Sequence, residues 1–215
     1  MTESNSFTPF LQTMFKDNAV LPVVSGFGST EEACAYAGAI KAAGITNIEI
    51  TLRSAGAVEQ IAAIRQADPA LTLGAGTVYT PQQVMACAKA DVQYIVSPGF
   101  SPVLEAACIA ANVAYLPGAL TPTEIQTLQE RGYKYLKFFP ASLNGGIETM
   151  RAYASVFSQI KFCCTGGVNE NNIHDYLGQD NVACVGLSAL APKNIIKEKN
   201  WPALTELAQS IIKAA

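Results

Sequence analysis

Short apolar runs alternate with longer, alanine-rich segments along the whole chain. Each run ends in a junction rich in Gly, Pro, Ser or Thr, after which apolar positions recur with helical spacing. Because each run is followed by a helical segment, the strands are expected to be parallel, with right-handed crossovers. The pattern predicts eight strands, at residues 19–24, 47–52, 71–76, 92–97, 114–118, 135–140, 161–166 and 182–187.

Several helical segments carry a start signal. Ser29 precedes one of them, and Ser or Thr followed by Pro precedes three more, at Thr80, Ser101 and Thr121. A hydroxyl at this position accepts a free backbone N–H, and Pro at the first helical position lacks an N–H that would be unpaired anyway. These signals place the helices directly after the strands.

Eight strand–helix units predict an α/β fold, a (β/α)8 TIM barrel. We expect residues 1–215 to form a single domain, with residues 1–18 as an N-terminal tail and an extra helix that caps one barrel end. In this fold the active site is built at the C-terminal ends of the strands.

Composition and charge exclude several classes of protein. Half of the residues are hydrophobic and 14% are charged, which excludes a disordered chain. The net charge of −3 comes without a cluster of Lys and Arg, so we expect no nucleic-acid partner. No apolar run reaches the roughly 18 residues of a membrane span, and the first residues lack the layout of a signal peptide. We therefore expect a cytoplasmic protein with no membrane partner.

The cysteines and the single histidine do not suggest a metal site. None of the six cysteines forms a CxxC pair or lies near His174. The cysteines fall in alanine-rich helical segments and in strand-like runs, which favours small buried thiols. We expect His174 to lie on a helix surface, and we expect no metal.

The second predicted strand carries polar side chains on one face. Glu49, Thr51 and Arg53 alternate with the apolar Ile48 and Ile50, so the polar set is expected to point into the barrel or its mouth. An internal ion pair between Glu49 and Arg53 is the structural alternative. Buried charges without a function rarely repay their desolvation, which favours a functional role.

The sixth predicted strand places a lysine among aromatic residues. Tyr135, Lys137 and Phe139 share the inward face. Burial disfavours the charged form of an amine, and a neutral amine is a nucleophile toward carbonyl carbon. The alternative is that Lys137 only pairs with Glu49. Lys134 and Lys161 start their strands at the opposite, solvated end of the barrel.

The last two junctions suggest an anion site. Gly166 and Gly167 are expected to expose backbone N–H groups at a helix N-terminus, where an anion is favoured. Gly186 and Ser188 follow the eighth strand, and the loops after strands seven and eight of this fold frequently hold a phosphate. The junctions "GAGTV", "SPGF" and "LPGAL" contribute the Thr77 hydroxyl and prolines that shape a pocket wall.

These segments resemble one family over about residues 20–190. "EITLR", "GAGTV", "SPGF", "PGALTPTE", "KFFPA…NGG" and "CTGG" stand in the order and spacing of the class I 2-keto-3-deoxy-6-phosphogluconate (KDPG) aldolases. This family also covers 2-keto-4-hydroxyglutarate (KHG) and 6-phosphogalactonate aldolases. The resemblance implies aldol cleavage without a metal or cofactor, by a homotrimer that acts on a keto-acid sugar phosphate.

The resemblance also implies a role for each matching residue. Lys137 matches the lysine that forms the Schiff base, and Glu49 matches the general acid/base. The remaining positions match the pyruvate pocket (Arg53, Thr77, Pro98, Phe139, Thr165) and the phosphate site (Gly166, Gly167, Gly186, Ser188). Leu187 stands where members with phosphorylated substrates often have a glycine, so we expect this position to influence phosphate binding.

Several other functions compete with KDPG cleavage. The same mechanism would serve an aldolase that prefers 4-hydroxy-2-ketoglutarate or 2-keto-3-deoxy-6-phosphogalactonate, and the same enamine would decarboxylate oxaloacetate. A phosphate-binding barrel enzyme without a covalent lysine and a sugar-phosphate sensor without catalysis are the alternatives from other classes. A sensor needs no proton shuttle, so inward positions of both Glu49 and Lys137 would argue against it.

Overall fold

Eight parallel strands form a barrel in the computed structural model, which describes residues 7–215. Each observed strand lies within two residues of its predicted bounds at either end, which confirms the predicted (β/α)8 fold. The strands are β1 Val20–Val24, β2 Asn47–Thr51, β3 Thr72–Gly76, β4 Tyr94–Val96, β5 Ala114–Leu116, β6 Tyr135–Phe138, β7 Lys161–Thr165 and β8 Val182–Leu187.

The ring closes at a seam between β5 and β6. The continuous sheet runs in the order β5-β4-β3-β2-β1-β8-β7-β6, so these two strands are its ends. Gly118 and Lys137 form an isolated parallel bridge across the gap. The Lys137 N–H donates to the Pro117 carbonyl at 2.8 Å, and the Lys137 carbonyl accepts from the Ala119 N–H at 2.9 Å. One residue of β6 thus provides both backbone bonds of this bridge.

Helices cover the outside of the barrel. The predicted caps are confirmed: Ser29, Thr80, Ser101 and Thr121 each accept a backbone N–H of the helix that follows. In the described part of the chain the helices are α1 Thr8–Asp17, α2 Thr30–Ala42, α3 Ala57–Ala67, α4 Pro81–Lys89, α5 Pro102–Ala110, α6 Pro122–Glu130, α7 Gly146–Val156, α8 Ile173–Leu177, α9 Lys193–Lys197 and α10 Trp201–Ala214.

Helix α1 closes the N-terminal end of the barrel. Its Leu11, Met14 and Phe15 are buried in the same apolar cluster as the inward-facing side chains of the strands, among them Leu21 and Tyr94. A second and larger cluster lies between the strands and the outer helices. The predicted capping helix is therefore confirmed. The tail before it includes residues 1–6, which lie outside the described residues, and the domain bounds 1–215 stay a prediction.

The predicted position of Gly166 and Gly167 at a helix N-terminus is wrong. Helix α8 begins only at Ile173 and has five residues. The side chains of the intervening asparagines form a turn instead: Asn172 Oδ1 accepts from the Asn169 N–H at 2.8 Å, and Asn172 Nδ2 donates to the Gly167 carbonyl at 3.0 Å. Asparagine side chains compete with helical hydrogen bonds in this way. Gly166 and Gly167 therefore do not lie at a helix N-terminus.

The predicted character of the cysteines and of His174 is confirmed. All six thiols are free, and only Cys34 is not fully buried. Burial raises the pKa of Cys87 and of Cys108 to about 12, so both are protonated at neutral pH. His174 lies exposed on α8. Within residues 7–215 no cluster of metal-ligating side chains occurs, and no helix is long and apolar enough to cross a membrane.

The barrel interior has room for Tyr94 only because β3 carries a glycine. A Cβ at Gly74 would overlap the Tyr94 ring, whereas a Cβ at Gly38, in α2, would meet no atom within 4 Å. We expect Gly74→Ala to lower the free energy of unfolding by about 1–3 kcal/mol through overpacking. Gly38→Ala is the control and should raise it by roughly 0.5–1 kcal/mol, because helical glycine is entropically unfavourable. Urea denaturation of both variants measures the difference, and equal effects would contradict this account of Gly74.

Candidate active site

A lysine and a glutamate from opposite walls meet inside the barrel. Lys137 lies on β6 and Glu49 on β2, four strands apart in either direction around the ring. Side chains alternate between the two faces of each strand, and the side chains of Lys137 and Glu49 both point inward. The Lys137 Nζ donates to Glu49 Oε1 at 3.3 Å. Glu49 is the central residue of β2 and Lys137 is the third of four residues in β6, so the pair lies just below the C-terminal ends of the strands, where active sites of this fold are built.

Both members of the pair are removed from solvent. Glu49 has no exposed surface, and Lys137 is 6% exposed. The second carboxylate oxygen, Glu49 Oε2, has no hydrogen-bond partner in the described part of the chain. A buried carboxylate oxygen without a partner is expensive, and such groups cluster where a ligand or a proton is to be received.

The polar floor below the pair holds no further charge. The Tyr94 hydroxyl donates to Asn47 Oδ1 at 2.7 Å, and both side chains are fully buried. Burial raises the pKa of Tyr94 well above its usual range, and the nearby charge of Glu49 adds to this effect. Tyr94 therefore stays neutral, and its buried ring forms the floor of the site.

Arg53 lies at the mouth of the barrel and does not pair with Glu49. Its Nε donates to the Thr51 hydroxyl at 3.1 Å, and the same hydroxyl donates to the Val24 carbonyl at 3.1 Å. None of the ion pairs formed by residues 7–215 includes Arg53. The internal Glu49–Arg53 pair considered from the sequence is thus not formed, and the guanidinium keeps a free edge for a planar anion.

The predicted pyruvate-pocket residues surround one cavity of about 190 Å³. We call it the inner cavity. Phe139 lies just past the end of β6 and is 40% exposed, and its ring centre is 5.4 Å from the Lys137 Nζ. Thr77 adopts a left-handed backbone with φ of 58°, which a non-glycine residue rarely adopts. The lining residues are Val23, Thr51, Arg53, Thr77, Pro98, Lys137, Phe139, Thr165, Gly166 and Ser188.

Two glycines make the space that the polar side chains occupy. A Cβ at Gly76, the last residue of β3, would overlap the Glu49 carboxylate. A Cβ at Gly186 on β8 would overlap the Thr165 hydroxyl. These positions therefore hold Glu49 and Thr165 in place through close packing. Gly76 is a supporting residue that the sequence does not reveal, because its role depends on a contact between neighbouring strands.

The four predicted phosphate positions do not all reach the inner cavity. Gly166 and Ser188 line it, whereas Gly167 and Gly186 do not. Gly167 lies against Ser142, whose side chain a Cβ at that position would overlap. Leu187 has extended backbone, with φ of −117°, and its wholly buried side chain packs in the outer core. The Leu187 side chain therefore points away from the inner cavity, and the influence of this position on phosphate binding stays a prediction.

The arrangement defines a class of chemistry. A buried amine that contacts a carboxylate can attack a carbonyl carbon while the carboxylate carries protons. An arginine and several hydroxyls at the mouth can bind a carboxylate. The site therefore fits a barrel enzyme that activates a keto acid covalently.

Comparisons with known proteins support this class of enzyme. A sequence model of the family described as "KDPG and KHG aldolase" matches residues 11–207. The "KHG/KDPG aldolase" of Escherichia coli (strain K12) is 35% identical over 204 residues, which cover 95% of each chain. The "2-dehydro-3-deoxy-phosphogluconate aldolase" of Pseudomonas aeruginosa is 34% identical over 206 residues, which cover 96% of this chain and 93% of the relative.

One solved structure is as similar to this chain as these relatives are. It is a KDPG aldolase from Legionella pneumophila with pyruvate captured as a covalent carbinolamine intermediate, and it matches with a TM-score of 0.89. The two proteins are 36% identical, and the match covers 93% of this chain and 97% of the other. The chain belongs to the KDPG and KHG aldolase family, and it is accordingly an aldolase, a carbon–carbon lyase.

The contact between Gly76 and Glu49 gives a direct test of the site. We expect Gly76→Ala to displace the Glu49 carboxylate. The rate of aldol cleavage should fall by at least about 100-fold, since a displacement of a catalytic group by about 1 Å can have that effect. Gly99→Ala is the control, because a Cβ there meets no atom within 4 Å. Pyruvate release measures both variants. Wild-type activity in Gly76→Ala would contradict the assigned contact.

Proposed function

We propose that the protein cleaves 2-keto-3-deoxy-6-phosphogluconate to pyruvate and glyceraldehyde 3-phosphate through a Schiff base on Lys137. The observation that carries this proposal is the buried contact between Lys137 and Glu49 at 3.3 Å. It supplies a nucleophile and a proton acceptor in one enclosed place. Membership of the KDPG and KHG aldolase family supports the choice of substrate class.

Glu49 first takes a proton from the ammonium of Lys137, which frees the nitrogen lone pair. The amine attacks C2 of the keto acid, and the carbonyl oxygen becomes the hydroxyl of a carbinolamine. Glu49 then returns a proton to this hydroxyl, which leaves as water, and the nitrogen lone pair forms the protonated imine. Glu49 Oε2 has no hydrogen-bond partner in the described part of the chain, so this oxygen can carry the proton.

The protonated imine is an electron sink that permits cleavage between C3 and C4. Glu49, directly or through a water molecule, accepts the proton of the C4 hydroxyl as the C3–C4 bond breaks. The electron pair of that bond moves toward the iminium nitrogen, which leaves an enamine of pyruvate and releases the aldehyde. Protonation of the enamine at C3 and hydrolysis of the imine then give pyruvate and restore Lys137.

The other residues that line the inner cavity bind and orient the substrate. The free edge of Arg53 binds the C1 carboxylate in a bidentate manner, with the hydroxyls of Thr77 and Thr165 as further donors. Pro98 and Phe139 line the cavity beside the imine and limit the space around it. Gly166 and Ser188 line the side of the cavity from which the phosphorylated end of the substrate extends.

The same reaction applies to 4-hydroxy-2-ketoglutarate, which the family name also includes. We further infer that the protein acts in the cytoplasm, because free thiols persist in reducing compartments, and that it forms a homotrimer like the family it resembles. A panel of KDPG, its galactonate epimer and 4-hydroxy-2-ketoglutarate, assayed by pyruvate release, ranks the substrates. Sedimentation tests the assembly.

Borohydride reduction in the presence of pyruvate tests the covalent step. We expect an irreversible mass increase on the peptide that contains Lys137, since reduction converts the imine to a stable amine. Lys161, which begins its strand at the other barrel end, is the internal control and should stay unmodified. A peptide map without an adduct on Lys137 would rule out the Schiff base.

Substitution of Lys137 and of Glu49 distinguishes the role of the nucleophile from that of the proton carrier. We expect Lys137→Ala to abolish cleavage, because no other lysine lines the inner cavity. Glu49→Gln should leave imine formation slow but detectable, with turnover lower by about 10²–10⁴-fold, the range of general acid–base catalysis. Single-turnover trapping measures the first step and pyruvate release the whole cycle. Wild-type turnover by Glu49→Gln would show that Glu49 is not the proton carrier.

A further inference from the structure

The hydroxyl of Thr51 joins two hydrogen bonds at the mouth of the barrel. Thr51 is the last residue of β2, lines the inner cavity and is 1% exposed. Its hydroxyl donates to the Val24 carbonyl at 3.1 Å and accepts from the Arg53 Nε at 3.1 Å. The two bonds connect a carbonyl at the end of β1 with the guanidinium of Arg53.

These bonds leave the Thr51 hydroxyl without a proton for the substrate. A threonine hydroxyl has one proton to donate, an arginine N–H can only donate, and a carbonyl can only accept. The proton of Thr51 therefore points to the Val24 carbonyl, and a lone pair receives the Arg53 N–H. Although Thr51 lines the inner cavity, its hydroxyl cannot donate to a carboxylate there and acts on Arg53 instead.

The bond to Thr51 determines which edge of the Arg53 guanidinium is available. A guanidinium can bind a carboxylate along a side edge, formed by Nε and one Nη, or along an end edge, formed by Nη1 and Nη2. Thr51 occupies Nε, whereas Nη1 and Nη2 form no hydrogen bond among residues 7–215. The end edge is therefore the one that the C1 carboxylate can use.

The position of Arg53 explains why it needs an anchor. Arg53 lies in the turn after β2 and is exposed, whereas Thr51 is held in the sheet. An exposed arginine has many rotamers, and ordering such a side chain when a ligand binds lowers the affinity. A hydrogen bond to a buried, fixed hydroxyl orders the guanidinium before the substrate arrives.

We propose that Thr51 is a positioning residue, which holds the end edge of Arg53 toward the inner cavity and thereby sets the affinity for the carboxylate of the keto acid. This inference rests on the proposed function, because it takes Arg53 to bind the C1 carboxylate. Thr51 does not bind the substrate itself and acts only through Arg53.

The variants Thr51→Val and Thr51→Ser test the proposal. Valine keeps the branched shape of threonine and removes the hydroxyl, whereas serine keeps the hydroxyl. We expect Thr51→Val to raise KM for KDPG by about 10-fold with kcat unchanged, since the carboxylate is bound equally before and during the reaction. Thr51→Ser should return KM to near the wild-type value. A loss in kcat at unchanged KM, or no rescue by serine, would overturn the proposal.

A neutral analogue shows whether Thr51 acts on the carboxylate. Borohydride trapping on Lys137 is measured at low concentrations of pyruvate and of methyl pyruvate, in which an ester replaces the charged group. We expect Thr51→Val to lower the trapping rate by about 10-fold for pyruvate and to leave the rate for methyl pyruvate unchanged. An equal loss for both compounds would assign Thr51 a merely structural role and contradict the proposal.

A double-mutant cycle shows whether Thr51 acts through Arg53. In the Arg53→Gln background, Thr51→Val should not change the ratio of the two trapping rates further, because the guanidinium that Thr51 positions is already absent. Additive losses would mean that Thr51 acts independently of Arg53, which the proposal does not allow.

Thr205→Val is the matched control. The Thr205 hydroxyl also donates to a backbone carbonyl, that of Ala39 at 3.0 Å, but Thr205 lies on α10 and does not line the inner cavity. Its KM and both trapping rates should equal those of the wild type. A rise in KM as large as that of Thr51→Val would show that loss of any such bond suffices, and would overturn the proposal.

Binding of lactate separates this proposal from the proposed function. Lactate has a carboxylate but no keto group, so it cannot form an imine. Calorimetric titration should give a Kd about 10-fold weaker in Thr51→Val than in the wild type, and Thr205→Val should match the wild type. An unchanged Kd in Thr51→Val would overturn the role of Thr51 even if pyruvate is trapped on Lys137. Absence of pyruvate trapping in the wild type, with the Kd shift present, would instead overturn the Schiff base alone.

Discussion

The contact between Lys137 and Glu49 is the constraint on which the barrel interior depends. Two opposite charges lie in a space that otherwise holds apolar side chains, and each makes the burial of the other tolerable. Removal of one partner from such a pair typically destabilises a protein by about 3–5 kcal/mol, because the other charge is left buried alone. The same isolation from water is what allows an amine and a carboxylate to exchange a proton with a substrate. Stability and, in the proposed mechanism, reactivity therefore depend on one contact.

Small residues on neighbouring strands make this contact possible. Gly76 leaves room for the Glu49 carboxylate, Gly186 for Thr165, and Gly74 for the Tyr94 ring below them. Parallel register brings each glycine beside the strand whose side chain it accommodates, for example Thr165 beside Gly186. The polar centre of the barrel is thus packed as closely as its apolar parts, which fixes the distances that covalent chemistry requires.

The alternation of strand-like and helical segments was enough to predict the fold, and period-two alternation within two strands was enough to predict the charged pair at its centre. It places Lys137 and Glu49 inward, and the start signals at Ser29 and Thr121 locate helices that the structure contains. The error at the seventh junction has a local cause. The side chain of Asn172 bonds to the backbone of Asn169 and Gly167, only three and five residues away, and this turn delays the start of α8. The role of Gly76 could not be predicted from the sequence, because it depends on the contact with Glu49 on the neighbouring strand.

The seam between β5 and β6 gives the bound substrate a mechanical role. Lys137 carries the backbone bonds of the Gly118 bridge, whereas every other pair of neighbouring strands is joined in the continuous sheet. In the proposed mechanism, a molecule attached covalently to Lys137 and in contact with Thr77 and Pro98, which follow β3 and β4, spans this seam from the inside. In the proposed mechanism, the substrate therefore links the two edges of the sheet for as long as it is attached to Lys137.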